Sequence, residues 1–367
     1  MIYTIFMILQ VAAILYFAAK NITKKPIIIG AKCNKLNEKP RSEILWLCII
    51  SCIYLFVIAG GRSASVGYDS GQYRRRFLEI AGMTWGEVFK IYKINNEPFF
   101  YWLCKLISVI SNNPQMLFII TGLIYSFAIG YFIYNNSQNP AISFLMLFPM
   151  QFYSFLLTGM RQALAFSVIV IFYTKSKKKN RKSSFLIGVL IAYLFHNSSV
   201  AALPMICFSD KNVSSIERVI WFILLPFVYI FGAKILNFLK IFLYSDYEVS
   251  SMAVGTLLTM IMYFAIWGLY FLFIGTRKIK DRGENQVERF LMLGIMLQLL
   301  VAYQPNFFRI AMLYQIFSVL AVPKIIETQK GEGKFAILLG FIFVIFLLFF
   351  KFTFTSCGIN PFKFFWE

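Results

Sequence analysis

Apolar stretches of 14–23 residues recur along almost the whole 367-residue chain, and they limit the available folds more than any other feature. A backbone in lipid must satisfy its own hydrogen bonds, which only helices and closed barrels do. Barrel strands alternate apolar and polar positions; these stretches do not, so they read as membrane helices. A composition of 59% hydrophobic and 19% aromatic residues lies far outside the range of soluble domains. No polar segment exceeds about 40 residues, so residues 1–367 read as a single integral membrane domain. The first stretch, Ile2 to Ala19, lacks a basic leader and a small-residue cleavage site and reads as a retained helix. Six scattered cysteines show neither metal-ligand spacing nor a disulfide framework, and read as small hydrophobes.

Charge orders these stretches. The formal net charge is +20, and the basic residues concentrate in four loops. Residues 20–43 hold seven Lys/Arg, residues 175–184 six, residues 276–290 five and residues 323–334 three. The positive-inside rule puts all four on the cytoplasmic side. The N-terminus then lies outside, with spans at 2–19 and 44–60 around the first basic loop. Residues 61–113 become an extracytoplasmic segment, in which 98–111 form a short interfacial or re-entrant amphipathic helix. Spans at 114–134, 141–157 and 160–174 lead back to the second basic loop. From there to the third, an even number of crossings is required. Spans 219–234 and 252–274 supply two, so 185–207 counts as two crossings or a re-entrant pair. Its break falls at His196-Asn197-Ser198-Ser199, four polar residues with turn and N-cap chemistry. Spans at 290–304, 308–323 and 335–352 complete an all-α polytopic protein of about twelve transmembrane helices, both ends outside.

The same parity gathers a polar set on the outer side. Arg62, Asp69, Tyr73, Arg74, Arg75, Arg76, Glu79, Glu87 and Glu97 come from the 61–97 loop. Arg161 and Gln162, His196 and Asn197, and Asn306 and Arg309 come from hairpins, and Lys234, Lys240, Asp246 and Glu248 from residues 234–251. Arginines outside, in a chain that is positive-inside elsewhere, point to an anionic ligand held by bidentate contacts. Each residue also has a plainer reading. His196, the only histidine, is equally a hydrogen-bonded structural residue. Arg161 and Arg309 either face a cavity or anchor helix ends at the headgroups. Asp69, flanked by Gly67 and Gly71, is a positioned carboxylate or an Asx-turn, and Glu97 before Pro98 fits dipole capping. No phosphate-binding loop, zinc signature, Gly-x-Ser-x-Gly elbow or dinucleotide fingerprint is present.

Five segments in order carry a resemblance: V-G-Y-D-S-G-Q-Y-R-R-R-F (66–77), N-E-P-F-F-Y-W-L (96–103), F-L-L-T-G-M-R-Q-A-L-A-F-S-V (155–168), Y-L-F-H-N-S-S-V-A-A-L (193–203) and N-F-F-R-I-A-M-L-Y (306–314). With the lysine-rich loop after the third, they resemble the EpsG branch of the Wzy-type bacterial polysaccharide polymerases. A departure is E-P-F-F, where that family often has glycine after the proline. The resemblance implies a GT-C-like glycosyltransferase, multi-pass in the bacterial cytoplasmic (inner) membrane. It would join undecaprenyl-pyrophosphate-linked oligosaccharide repeat units at the outer face, in the making of capsule, O-antigen or exopolysaccharide. It implies no metal, cofactor or nucleic acid, while membrane lipid, a chain-length regulator and a flippase are the expected neighbours. On that reading His196, Arg161 and Asp69 are the catalytic expectations: His196 a base or acceptor-positioning group, Arg161 a ligand of the pyrophosphate. Arg309, Arg75, Tyr73, Gln162, Asn197 and Glu97 are expected at the substrate. Two rival readings are a membrane O-acyltransferase acting on surface polysaccharide, and a non-enzymatic exporter or flippase.

Overall fold

The computed structural model describes residues 2–22, 39–208, 211–243, 255–277, 283–329, 331–355 and 361–367. Residues 23–38, 244–254 and 278–282 lie outside them, and with them most of the first basic loop, Asp246 and Glu248 of one expected outer loop, and Lys278, Lys280 and Arg282 of the third basic loop. Among the described residues every regular element is a helix, and one antiparallel bridge joins Arg62 to Phe364. Among the described residues four helices are long and apolar enough to cross a membrane: Ser42–Gly61, Gln115–Asn136, Ser215–Phe238 and Leu258–Gly275. A fifth crossing is available if Pro305–Gln315 and Ser318–Glu327, bent by 44°, form one span.

The expected crossings at 2–19, 160–174, 290–304 and 335–352 fall in the continuous helices Ile2–Ile22, Met160–Lys179, Glu284–Val301 and Gly331–Thr355, whereas two others are broken, each with a local cause. The 141–157 stretch is two helices, Pro140–Met146 and Phe152–Thr158, separated by a turn in which Gln151 adopts φ 61°. The 185–207 stretch is the 14-residue helix Lys182–Phe195, a 3-10 turn at Asn197–Ala202 and the short helix Pro204–Cys207. Fourteen residues rise about 21 Å, short of the roughly 30 Å hydrocarbon core. The stretch therefore turns at His196, and its helical arm alone is too short to cross. The Pro98–Ile110 helix, 13 residues, is likewise too short to span. It buries Phe100, Cys104 and Ile107 and exposes Leu106, Val109 and Ile110, the division that the amphipathic reading requires.

Small residues let the long helices approach closely. A Cβ added to Gly130 would lie 2.1 Å from Cys52 Sγ, so the Gln115–Asn136 helix meets the Lys39–Gly61 helix there with no room for a side chain. Cys48 is buried beside it, and the four described cysteines, Cys48, Cys52, Cys104 and Cys207, are all free. A second, smaller core of Phe77, Val88, Phe100, Leu117, Phe118, Met160 and Leu164 seats the 61–113 segment on the helices beneath it.

Contacts between distant segments sort the loops into two ends. Tyr54 Oη donates to the Ile2 carbonyl, the Tyr3 and Phe362 rings lie 5.7 Å apart, and Ser63 N–H donates to the Lys363 carbonyl at 2.9 Å. Both chain ends therefore lie beside the 61–97 loop. At the opposite end a cavity is lined by Asn136, Lys177, Gly283, Glu284 and Lys324, from four separate loops. Three basic loops thus meet at one end, and the segments carrying the candidate residues meet at the other. This is the relative arrangement that charge parity requires.

Candidate active site

The Glu97 carboxylate is the centre of the polar set. Glu97 takes a left-handed conformation (φ 54°, ψ 55°) ahead of Pro98, which begins a helix. It makes no side-chain cap hydrogen bond there. The turned backbone instead aims the side chain inward, where the residue is 4% exposed. Oε2 accepts from Arg161 Nη1 at 2.7 Å, Oε1 accepts the Asn197 backbone N–H at 3.0 Å, and Oε1 also faces Nδ1 of His196.

Three other segments deliver its partners. Gly159 ends one helix and Met160 starts the next, so Arg161 and Gln162 project from a first turn. His196 caps the Lys182–Phe195 helix with extended backbone, and its N–H donates to the Ala192 carbonyl at 2.9 Å. Its Nε2 lies 2.5 Å from Gln162 Nε2. With Nδ1–H directed to Glu97, Nε2 carries the lone pair and the Gln162 amide donates to it. Arg161 Nη1 also reaches Tyr101 Oη at 3.3 Å, and Tyr73 hydrogen-bonds Arg161.

Asp69 and Arg309 form a second, looser layer, with Arg309 Nη2 3.8 Å from Asp69 Oδ2. Their side chains are 36% and 27% exposed, against 5% for Glu97. Asp69 makes no side-chain cap, although it precedes the Ser70–Ala81 helix. Its loop is set by Gly67, at φ 91°, where a Cβ would lie 2.1 Å from the Leu157 carbonyl oxygen. Arg62, expected among the outward polar groups, is fully buried beneath this loop. It donates to the Ala59 carbonyl at 2.5 Å and to Leu156 O and Ser70 Oγ at 3.5 Å, and lies 4.6 Å over the Phe118 ring. Two helix C-terminal regions thus share one guanidinium, which favours their dipoles and ties the loop down.

Electrostatics follow from this packing. Burial pushes the Glu97 carboxyl up. The His196 hydrogen bond, the His196 and Arg161 charges and the Asn197 amide together outweigh it and hold the group below its ordinary value. Burial depresses the His196 imidazole, Glu97 offsets part of this, and Arg161 and Arg309 depress it further, leaving it below its ordinary value. The arrangement is a neutral imidazole held by a carboxylate, beside two arginines that reach a more open surface. It can accept a proton at Nε2 and bind an anion on the arginines.

His196, Arg161, Gln162, Asn197, Glu97 and Tyr73 are therefore one contact network, with Asp69 and Arg309 beside it. Arg75 is not drawn in: it is exposed on the outer side of the Ser70–Ala81 helix. Arg76, one residue on, is the member of the R-R-R run whose charge acts on Tyr101, and it pairs with Glu79 at 2.9 Å. Tyr101 and Arg76 were the site neighbours that spacing did not single out. A helical face shared by Tyr73 and Arg76, three apart, was the available signal.

At the opposite end lies a set of buried ion pairs that charge counting missed. Arg218 Nε and Nη2 meet Glu288 at 2.7 and 3.1 Å, and Arg289 Nε and Nη2 meet Glu217 at 2.7 and 2.8 Å. Each helix carries a Glu-Arg dipeptide, 217–218 and 288–289, and the two exchange partners.

A helical protein with membrane-crossing spans, carrying a buried carboxylate–imidazole–guanidinium network at one end, defines the class: a polytopic membrane protein with a polar site near one surface. The EpsG family profile matches residues 45–365, and the chain belongs to that family, the family of Wzy-type polysaccharide polymerases. No curated protein and no solved structure matches it.

Proposed function

We propose that the chain joins oligosaccharide repeat units carried on undecaprenyl pyrophosphate, at the outer face of the bacterial cytoplasmic membrane. Its basic end faces the cytoplasm, and about twelve crossings, several of them broken or re-entrant, make up a GT-C-like body. The observation that carries this reading is the Glu97 carboxylate holding Arg161 and His196 together beside Arg309.

In the transfer, an acceptor hydroxyl on the next lipid-linked unit attacks the anomeric carbon of the chain on its lipid pyrophosphate. The bond from that carbon to the pyrophosphate oxygen breaks, and negative charge collects on the leaving group. Arg161 and Arg309 are placed to stabilise it, and Asp69, paired loosely with Arg309, keeps that guanidinium oriented until the pyrophosphate arrives. His196 Nε2 takes the hydroxyl proton once Gln162 gives way to the substrate. Glu97 fixes the tautomer and stabilises the imidazolium that results. Burial, helped by the nearby arginines, keeps the imidazole neutral beforehand, as a base near neutral pH requires. Tyr73 and Tyr101 hold the Arg161 guanidinium from its other side.

Proteoliposomes containing the purified protein and a lipid-linked single repeat unit provide the test. They are expected to yield a ladder of lengthening chains, with lipid pyrophosphate released as each linkage forms. Release of free oligosaccharide to water without lengthening would contradict transfer to an acceptor hydroxyl.

A further inference from the structure

A second cavity, of about 250 Å³, lies at the basic end, at the base of the 185–207 stretch that turns at His196. Three cations line it, Lys177, Arg181 and Lys182, and among the described residues no aspartate or glutamate does. Phe185, Met205 and Ile206 supply apolar lining. Its frame is built by a tight turn: Asn180 adopts φ 52°, Arg181 N–H donates to the Ser176 carbonyl at 3.1 Å, and Ser176 Oγ donates to the Arg181 carbonyl at 2.9 Å. The Lys182–Phe195 helix starts at this cavity without a side-chain cap, so its first amides add positive potential to that of the three side chains. Gln286 also lines it, and its Nε2 donates to the Phe208 carbonyl at 3.0 Å.

We propose that this cavity binds the phosphodiester headgroup of an anionic phospholipid. A recess between helices that is lined by both cations and apolar side chains, at the end where the basic loops meet, matches a phosphate with acyl chains attached. A small soluble anion would make no use of the apolar lining. The volume sits near the lower edge of the roughly 300–1,000 Å³ of small-molecule sites, enough for a headgroup while the chains stay in the bilayer. Occupancy would fasten three elements at once. These are the Met160–Lys179 helix, which carries Arg161 and Gln162 at its far end, the Lys182–Cys207 pair, which carries His196, and the Glu284–Val301 helix. The headgroup thus braces from below the hairpin that presents the histidine. The inference does not depend on the glycosyl-transfer reading.

The test uses the full chain purified into nanodiscs, with lipid retention read by native mass spectrometry and unfolding temperature read in parallel. Phosphatidylglycerol is expected to be retained over phosphatidylcholine and to raise the unfolding temperature. Arg181→Gln with Lys182→Gln should lose roughly fivefold in retention per cation removed. Lys175→Gln with Lys179→Gln removes the same charge from the same loop outside the cavity and should lose much less. The charge-keeping pair Arg181→Lys and Lys182→Arg should retain the lipid, which separates loss of binding from loss of fold. Equal losses in the two glutamine pairs, no preference for phosphatidylglycerol in the unaltered protein, or equal stabilisation by inorganic phosphate in detergent would each overturn the proposal.

Discussion

At the basic end, Glu288 takes Nε and Nη2 of Arg218, and Glu217 takes the same two groups of Arg289. Lys324 Nζ meets Glu284 at 2.6 Å nearby. At the other end one carboxylate, Glu97, is divided among Arg161, His196 and the Asn197 amide, while Arg309 reaches only a distant Asp69. These two-pronged pairs fasten helices together. The shared carboxylate orients the imidazole while Arg161 and Arg309 stay partly exposed, which is what the proposed anionic substrate would require. On the proposed reading, the same residue types hold helices together at one end and serve the chemistry at the other. What separates them is stoichiometry and exposure: Arg161 is 35% exposed at its side chain, Arg289 only 7%.

Substitutions at the two ends should separate activity from stability. The largest expected effect is on chain growth: His196→Ala should lower it by about 10²–10⁴ and Arg161→Ala by about 10²–10³, with protein level in the membrane maintained. Near-normal growth in both would remove the site. Breaking a matched pair should do the reverse. Glu288→Gln strands a buried guanidinium and should cost about 3–5 kcal/mol of stability, while the fraction that stays folded polymerises normally. Replacing both partners, Arg218→Met with Glu288→Leu, should recover most of that loss in a thermal melt. The corresponding double replacement of Arg161 and Glu97 should recover no activity.

The pH profile sharpens the contrast further. A base must be neutral to act, so activity should fall as pH drops through the His196 pKa, which lies below the ordinary value near 6.5. Arg309→Gln removes a charge that depresses this pKa and should move the acid limb up. Glu97→Gln removes the group that raises it and should move any residual limb down. Both Glu97 and His196 bind protons less readily in the folded chain than their ordinary values allow. Their contribution to stability is therefore full above those values and is lost as pH falls. The smallest expected effect is at Arg75: Arg75→Gln should change chain growth less than about twofold, as for exposed surface positions generally. Arg76→Gln, nearer Tyr101, should change it more.

Much of this arrangement is legible in the sequence because charge parity acts at long range. Counting basic loops places Arg161, His196 and Arg309 at one end without any contact being known, and it forces the 185–207 stretch to turn back at His196. Parity does not say which short segments truly cross, since that depends on local breaks such as Gln151 and on helix length. It also cannot assign the centre of the network. Glu97 before Pro98 looks like an ordinary helix-start acid, and only its left-handed backbone turns the carboxylate toward Arg161. Burial of Arg62 was hidden for a similar reason, because its partners are carbonyl oxygens, which leave no mark in sequence. The exchanged Glu-Arg dipeptides were visible as a repeat, but their pairing depends on how two helices pack side by side.

Glu97→Gln is the most direct test, because it keeps size and burial while removing the charge that holds Arg161 and His196 together. Membranes with equal amounts of parent and variant protein would be supplied with a lipid-linked single repeat unit, and products separated by length. The account predicts a ladder of chains from the parent and single repeats accumulating with the variant. A ladder of the same length, formed at the same rate by the variant, would contradict it.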